Sequence, residues 1–79
     1  MEVEKKVKEI VAQICETDAA EIKPSTSIGD YPQWDSVGHI SILSALEDFY
    51  NINFEGKEMV EIEDVADMIN AVKRNLKID

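Results

Sequence analysis

The chain has 79 residues, of which 44% are hydrophobic and 32% charged, and it carries a formal net charge of −9. That length makes one domain, residues 1–79, near the lower end of what folds without staples. The acidic balance excludes nucleic-acid binding, which needs a basic patch to neutralise phosphates. There is no apolar run long enough to cross a bilayer, and Met1 leads directly into a charged helical pattern rather than a signal peptide, so no membrane insertion is expected. The single cysteine, Cys15, rules out an internal disulfide framework and fits a reducing, cytoplasmic setting.

Residues 2–15 read as an amphipathic helix with Val3, Val7, Ile10, Val11 and Ile14 as its apolar stripe. Cys15 falls at the stripe's edge. No base is placed to activate it, so it is read as a small core-edge thiol. Residues 16–34 form a long loop. Thr17 or Asp18 is positioned to cap a short turn through Ile22, Pro24 discourages helix at Lys23, and residues 29–32 carry a turn signal. Ile22 and Ile28 are expected to pin the loop to the core; Trp34, the only tryptophan, is expected to pack beneath it, or else to shield a group carried by the serine two residues on.

A helical pattern then starts abruptly after Asp35, a strong N-cap whose carboxylate can accept unpaired first-turn N–H groups. Ser36 becomes the first helical residue, its hydroxyl free to point outward toward the positive end of the helix dipole. That position suits a serine carrying a phosphate ester. At 100° per residue, His39, Ile42, Leu43, Leu46, Phe49 and Tyr50 fall on one side as a core stripe. Val37, Ile40, Ser41, Ser44, Glu47 and Asp48 fall on the other, a candidate docking face.

Residues 51–54 read as an extended link with Ile52 and Phe54 turned inward. Gly56 then breaks the chain, and residues 57–60 make one short helical turn. Glu63 and Asp64 favour the start of a last helix with Val65, Met68, Ile69, Val72 and Leu76 buried. Lys73, Arg74 and Lys77 lie near its negative end. No strand-like alternation, repeat or linker interrupts the chain. The expected fold is all-α: a small antiparallel bundle of three longer helices and one short one, with a long loop between the first and second.

Asp35, Ser36 and His39 contain the residue types of a hydrolytic triad, but His39 lies on the core stripe and no oxyanion hole or pocket is apparent. It is read instead as a core-edge residue whose ring hydrogen-bonds locally, and no catalytic residue is assigned. Neither a calcium loop nor a Cys/His zinc cluster is present. Every Lys and Arg lies in the first 23 residues or from Lys57 onward; between them stand only acids, namely Asp30, Asp35, Glu47, Asp48 and Glu55. Such a middle section suits docking to basic partners, with encounters steered by charge.

The run Asp35-Ser36-Val37 opening a helix, continued by Ala45-Leu46-Glu47-Asp48 and then Ile52 and Phe54, resembles the acyl carrier protein family. The family motif is Asp-Ser-Leu, here with Val37 in place of Leu, and the resemblance covers nearly the whole chain. It implies a carrier, not an enzyme, with 4′-phosphopantetheine from coenzyme A esterified to Ser36 and acyl or aminoacyl groups held on its thiol. It implies that Asp35 lies beside the metal used by a phosphopantetheinyl transferase. Acyl-loading and acyl-processing enzymes with basic docking surfaces would meet Val37, Ile40, Ser41 and Ser44 for shape, and Glu47 and Asp48 for charge. A monomer is expected.

Fatty-acid carriers usually place acids early in this helix, where Gly38 and Ser41 stand here. The Trp-Asp-Ser-Val-Gly-His run is more similar to stand-alone carriers of specialised pathways: polyketide, peptide-type or surface-polysaccharide modification. The competing reading is an unmodified acidic helical interaction module.

Overall fold

Valines four apart at positions 3, 7 and 11 give the first helix one apolar stripe, and all three are buried in α1 (Glu2–Cys15). The structure, a computed structural model, describes residues 2–78. The expectation about Met1 lies outside them. Ala12 and Cys15 are also buried, while Ile10 and Ile14 pack against the core from its margin. Cys15 is thus a core residue rather than an edge one. Burial pushes its thiol above the ordinary range, away from the reactive thiolate.

After a left-handed Glu16 (φ 59°), a single 3-10 turn spans Ala19–Glu21; Asp18 precedes it without a side-chain cap bond. The rest of the loop is held by its own hydrogen bonds. Thr26, buried, accepts from the Lys23 N–H through Oγ1 at 2.8 Å, and Asp30 Oδ2 accepts from the Ser27 N–H at 2.8 Å. Ile22 is buried as expected, but Ile28 is not a peg, being 40% exposed. It sits at the corner of the turn that Gly29 completes at φ 94°, where its side chain faces outward. Thr26 and Trp34 anchor the loop in its place.

The loop also completes the start of the last helix. The Val65 N–H donates to the Thr26 carbonyl and the Ala66 N–H to the Pro24 carbonyl, both at 2.9 Å, and the Ile28 N–H donates to the Glu63 carbonyl at 3.1 Å. Among the described residues the only β pairing is the isolated bridge here between Ser27 and Asp64. The Val65 and Ala66 donors are first-turn amides that a helix cannot satisfy internally. Asp64 caps the same end, accepting from the Asp67 N–H at 2.8 Å, and Asp67 accepts back from the Glu63 N–H at 3.1 Å.

Three longer helices, α1, α2 (Ser36–Tyr50) and α4 (Val65–Leu76), enclose the core, with α1 packed on both of the others. Ile42, Leu43 and Leu46 enter it from α2; Val65, Met68, Ile69, Ala71 and Val72 enter from α4. Phe54 and Ile62 close it, and Ile52 and Leu76 pack at its margin. α3 (Gly56–Glu61) has no buried residue. Glu58 ties it to α4, accepting from Arg74 Nη2 at 2.9 Å and Asn75 Nδ2 at 3.1 Å.

Phe49 departs from the predicted core stripe, being 57% exposed. It lies where the end of α2 meets the start of α1. There its ring contacts the Lys6 ammonium (4.5 Å to the centroid) and the edge of Tyr50 (centroids 4.9 Å, planes at 84°) instead of core aliphatics.

Candidate functional site

Asp35 leaves the loop extended (φ −102°, ψ −164°) and turns the chain into α2. Its Oδ1 accepts from the Gly38 N–H at 2.9 Å, and its carbonyl accepts the first intrahelical bond from the His39 N–H at 2.8 Å. Ser36 is therefore the first residue of the helix. It is exposed, and among the described residues its hydroxyl has no hydrogen-bond partner. Donors of the first turn face the same side, so an anionic ester on Ser36 sits in favourable potential.

Gly38, a weak helix former, has a packing reason to be here. It is buried, and a Cβ at this position would overlap the carbonyl oxygen of Gln33. The loop backbone thus lies directly against the first turn. Trp34 holds it there: the indole is fully buried, and its Nε1–H donates to His39 Nδ1 at 2.9 Å. Packing is what Trp34 does, since it has no surface left with which to shield anything outside. His39 is half-buried with a local ring hydrogen bond, as its place at the stripe's edge implied. Sequence reasoning foresaw neither the Gly38 contact nor the Trp34 partner. The one signal was a glycine in the first turn of a helix, which propensity alone disfavours.

Behind Ser36 the outward face of α2 is as the helical wheel places it. Val37 is 73% and Ile40 64% exposed, and Ser41, Ser44 and Asp48 are exposed too. Glu47 differs. It is half-buried and its Oε2 accepts from the Phe54 N–H at 2.8 Å, fixing the chain after α2. Asn51, left-handed at φ 55°, ends the helix there.

The hydrolytic arrangement does not form: His39 Nδ1 is occupied by the indole N–H, and Asp35 is engaged as a cap. Among the described residues no group of three or more potential ligands could hold a metal, and no helix is long and apolar enough to cross a membrane. A phosphate ester on Ser36 fits: the hydroxyl is unbonded and exposed, and exposed Val37 and Ile40 lie beside it.

Comparison with known proteins agrees with this geometry. The family described as a phosphopantetheine attachment site matches residues 5–72. An acyl carrier protein of Clostridium acetobutylicum is 34% identical over 68 residues, covering 86% of this chain and 88% of that protein. One from Porphyromonas gingivalis is 29% identical, covering 96% and 97%. The solution structure of a holo acyl carrier protein from Geobacter metallireducens superposes with a TM-score of 0.83 at 27% identity, covering 98% of this chain and 88% of that one. These matches give this chain 4′-phosphopantetheine as prosthetic group, a phosphopantetheinyl transferase and acyl-processing enzymes as general partners, and the role of a carrier rather than an enzyme: the chain belongs to the acyl carrier protein family.

Proposed function

We propose that Ser36 carries the 4′-phosphopantetheine arm and that the chain is a stand-alone carrier in a specialised biosynthetic pathway, for acyl or aminoacyl groups. The observation that carries this reading is a free, exposed serine hydroxyl on the first residue of a helix, immediately after a capping aspartate. The arm supplies a thiol that holds its cargo as a thioester. Asp35 uses Oδ1 for the cap; among the described residues Oδ2 has no partner, which suits a place beside the transferase's metal.

Val37, Ile40, Ser41 and Ser44 form the docking surface, with Asp48 and the outer part of Glu47 steering basic partners to it. A carrier that must meet several enzymes briefly needs only a small apolar patch with charges at its edge. Gly38 and Ser41 stand where fatty-acid carriers usually have acids, which supports the specialised role. A cytoplasmic setting keeps the arm's thiol reduced.

The test is intact mass. Wild type and Ser36→Ala are incubated with coenzyme A and a broad-specificity transferase. Wild type gains one pantetheinyl phosphate and the alanine variant gains none. An unmodified wild type leaves an acidic interaction module, and a modified variant moves the attachment elsewhere.

A further inference from the structure

The bond between Trp34 and His39 does more than pin a loop. An indole N–H can only donate, so His39 Nδ1 must be an unprotonated acceptor and the neutral ring's one proton must sit on Nε2. The two rings are near parallel, 16° apart with centroids 6.1 Å from each other, which brings the indole N–H to the imidazole edge where the Nδ1 lone pair lies. Trp34 is wholly buried and His39 half-exposed, so Nδ1 is turned to the buried side and Nε2, on the ring's other edge, is the nitrogen left for the outward side. Among the described residues that outward N–H has no hydrogen-bond partner. It is also the chain's only imidazole, in a stretch, residues 24–56, without Lys or Arg.

His39 stands three residues after Ser36 on the same helix, where side chains are neighbours with Cβ atoms about 5–6 Å apart. Helical side chains lean toward the N-terminus and cover the preceding turn. His39 does so visibly, reaching back to Trp34 five residues upstream. On that spacing its free donor is within reach of the root of whatever Ser36 carries. Asp35, the adjacent carboxylate, repels a phosphate there, and a neutral N–H donating to the phosphate would offset that repulsion.

We propose that His39, its tautomer fixed by Trp34, is a positioning residue that donates its Nε2–H to the phosphodiester on Ser36 and so sets the direction in which the arm leaves the helix. This rests on Ser36 being the attachment site. A purely structural role for the Trp34–His39 pair would leave the imidazole indifferent to the arm.

The experiment uses the full chain, 15N-labelled, before and after conversion by transferase and coenzyme A, with mass confirming the conversion. Expected in both forms is the Nε2–H tautomer. On conversion the Nε2 resonance shifts and exchange of its proton with water slows about tenfold, the factor for a bond to a charged acceptor. In His39→Asn, Oδ1 replaces Nδ1 as acceptor for the indole and the Nε2–H is lost, the amide Nδ2 standing about where Cδ2 was and falling short of the Nε2 position. The 31P resonance of its converted form should move away from that of wild type. A proton on Nδ1, an imidazole unchanged by conversion, or identical 31P resonances overturn the proposal. The wild-type comparison needs no variant, so it decides even if His39→Asn does not fold. Absence of any mass gain overturns the attachment reading and this one with it; mass gain with an unmoved imidazole overturns this one alone.

Discussion

Replacing Gly38 by alanine sets two effects against each other within one turn of helix. Alanine is the better helix former by about 1 kcal/mol, so propensity predicts a more stable protein. The structure predicts the opposite, because the new methyl meets the Gln33 carbonyl oxygen rather than solvent. That carbonyl is not free to retreat. The next residue, Trp34, is fully buried, its N–H donates to the Tyr31 carbonyl at 3.0 Å, and its own carbonyl accepts from the Gly29 N–H at 2.9 Å. Moving Gln33 means disturbing that closed turn. Crowding of this kind costs about 1–3 kcal/mol, and against a fixed carbonyl the upper part of that range, about 2–3 kcal/mol, applies. A net loss of about 1–2 kcal/mol lowers the thermal midpoint by roughly 4–16 °C for a domain of this size. Ser41→Ala, exposed on the same helix, is the control. It tests propensity alone and should raise stability by about 0.5 kcal/mol. Circular-dichroism melts of both variants decide, and a Gly38→Ala protein that melts at or above wild type refutes the packing argument.

Three further outcomes are expected. Leu46→Ala, emptying a fully buried site, should cost roughly 2–5 kcal/mol, whereas Ile40→Ala, largely exposed, should cost under about 1 kcal/mol yet slow arm installation; melts and a modification time course with the reverse pattern would invert the two faces of α2. Asp48→Lys should slow installation at low salt, and the deficit should shrink as ionic strength rises, screening reaching about 10 Å at 0.1 M; equal rates at low salt would remove the steering role. Burial raises the Cys15 thiol from an ordinary value of 9.0, and burial together with the Glu2 carboxylate raises the Tyr50 phenol from 10.0. The folded state therefore holds these protons longer than the unfolded one, so this stability is complete below about pH 9 and is lost as pH climbs through the folded values. Urea titrations should show that alkaline decline, and Cys15→Ala should flatten its lower part.

What could be read from residues alone was what depends on one helix at a time. Valines recurring every fourth residue mark α1, and Asp64 followed by an apolar stripe marks α4. Asp35 before Ser36 marks the start of α2, cap included. What could not be read depends on where a neighbour ends. Phe49 has the angular position of a core residue, but a helical wheel does not show that α1 begins opposite it with Lys6. Glu47 lies on the outward side by angle, yet the chain after α2 folds back so that its carboxylate meets the Phe54 N–H, and its mutation to Lys now tests stability as well as charge. Cys15 is deeper than its stripe implied because α1 is packed by both α2 and α4, so its buried arc is wider than one row of valines.

The three backbone bonds between the long loop and the start of α4 close a ring of chain about forty residues around, with α2 lying inside it. Closing a flexible ring of that size costs about 3 kcal/mol of entropy, and three backbone hydrogen bonds return about 1.5–4.5 kcal/mol net. By themselves the bonds hold the clasp near balance. What tips it shut is the apolar packing beside it, Ile22 on the loop side and Val65 on the helix side, both buried. The clasp therefore opens as a unit, below the free energy of global unfolding, with the amides of Ile28, Val65 and Ala66 losing protection together. Loosening Ile22, far from Ser36 along the chain, frees both ends of the segment that bears it.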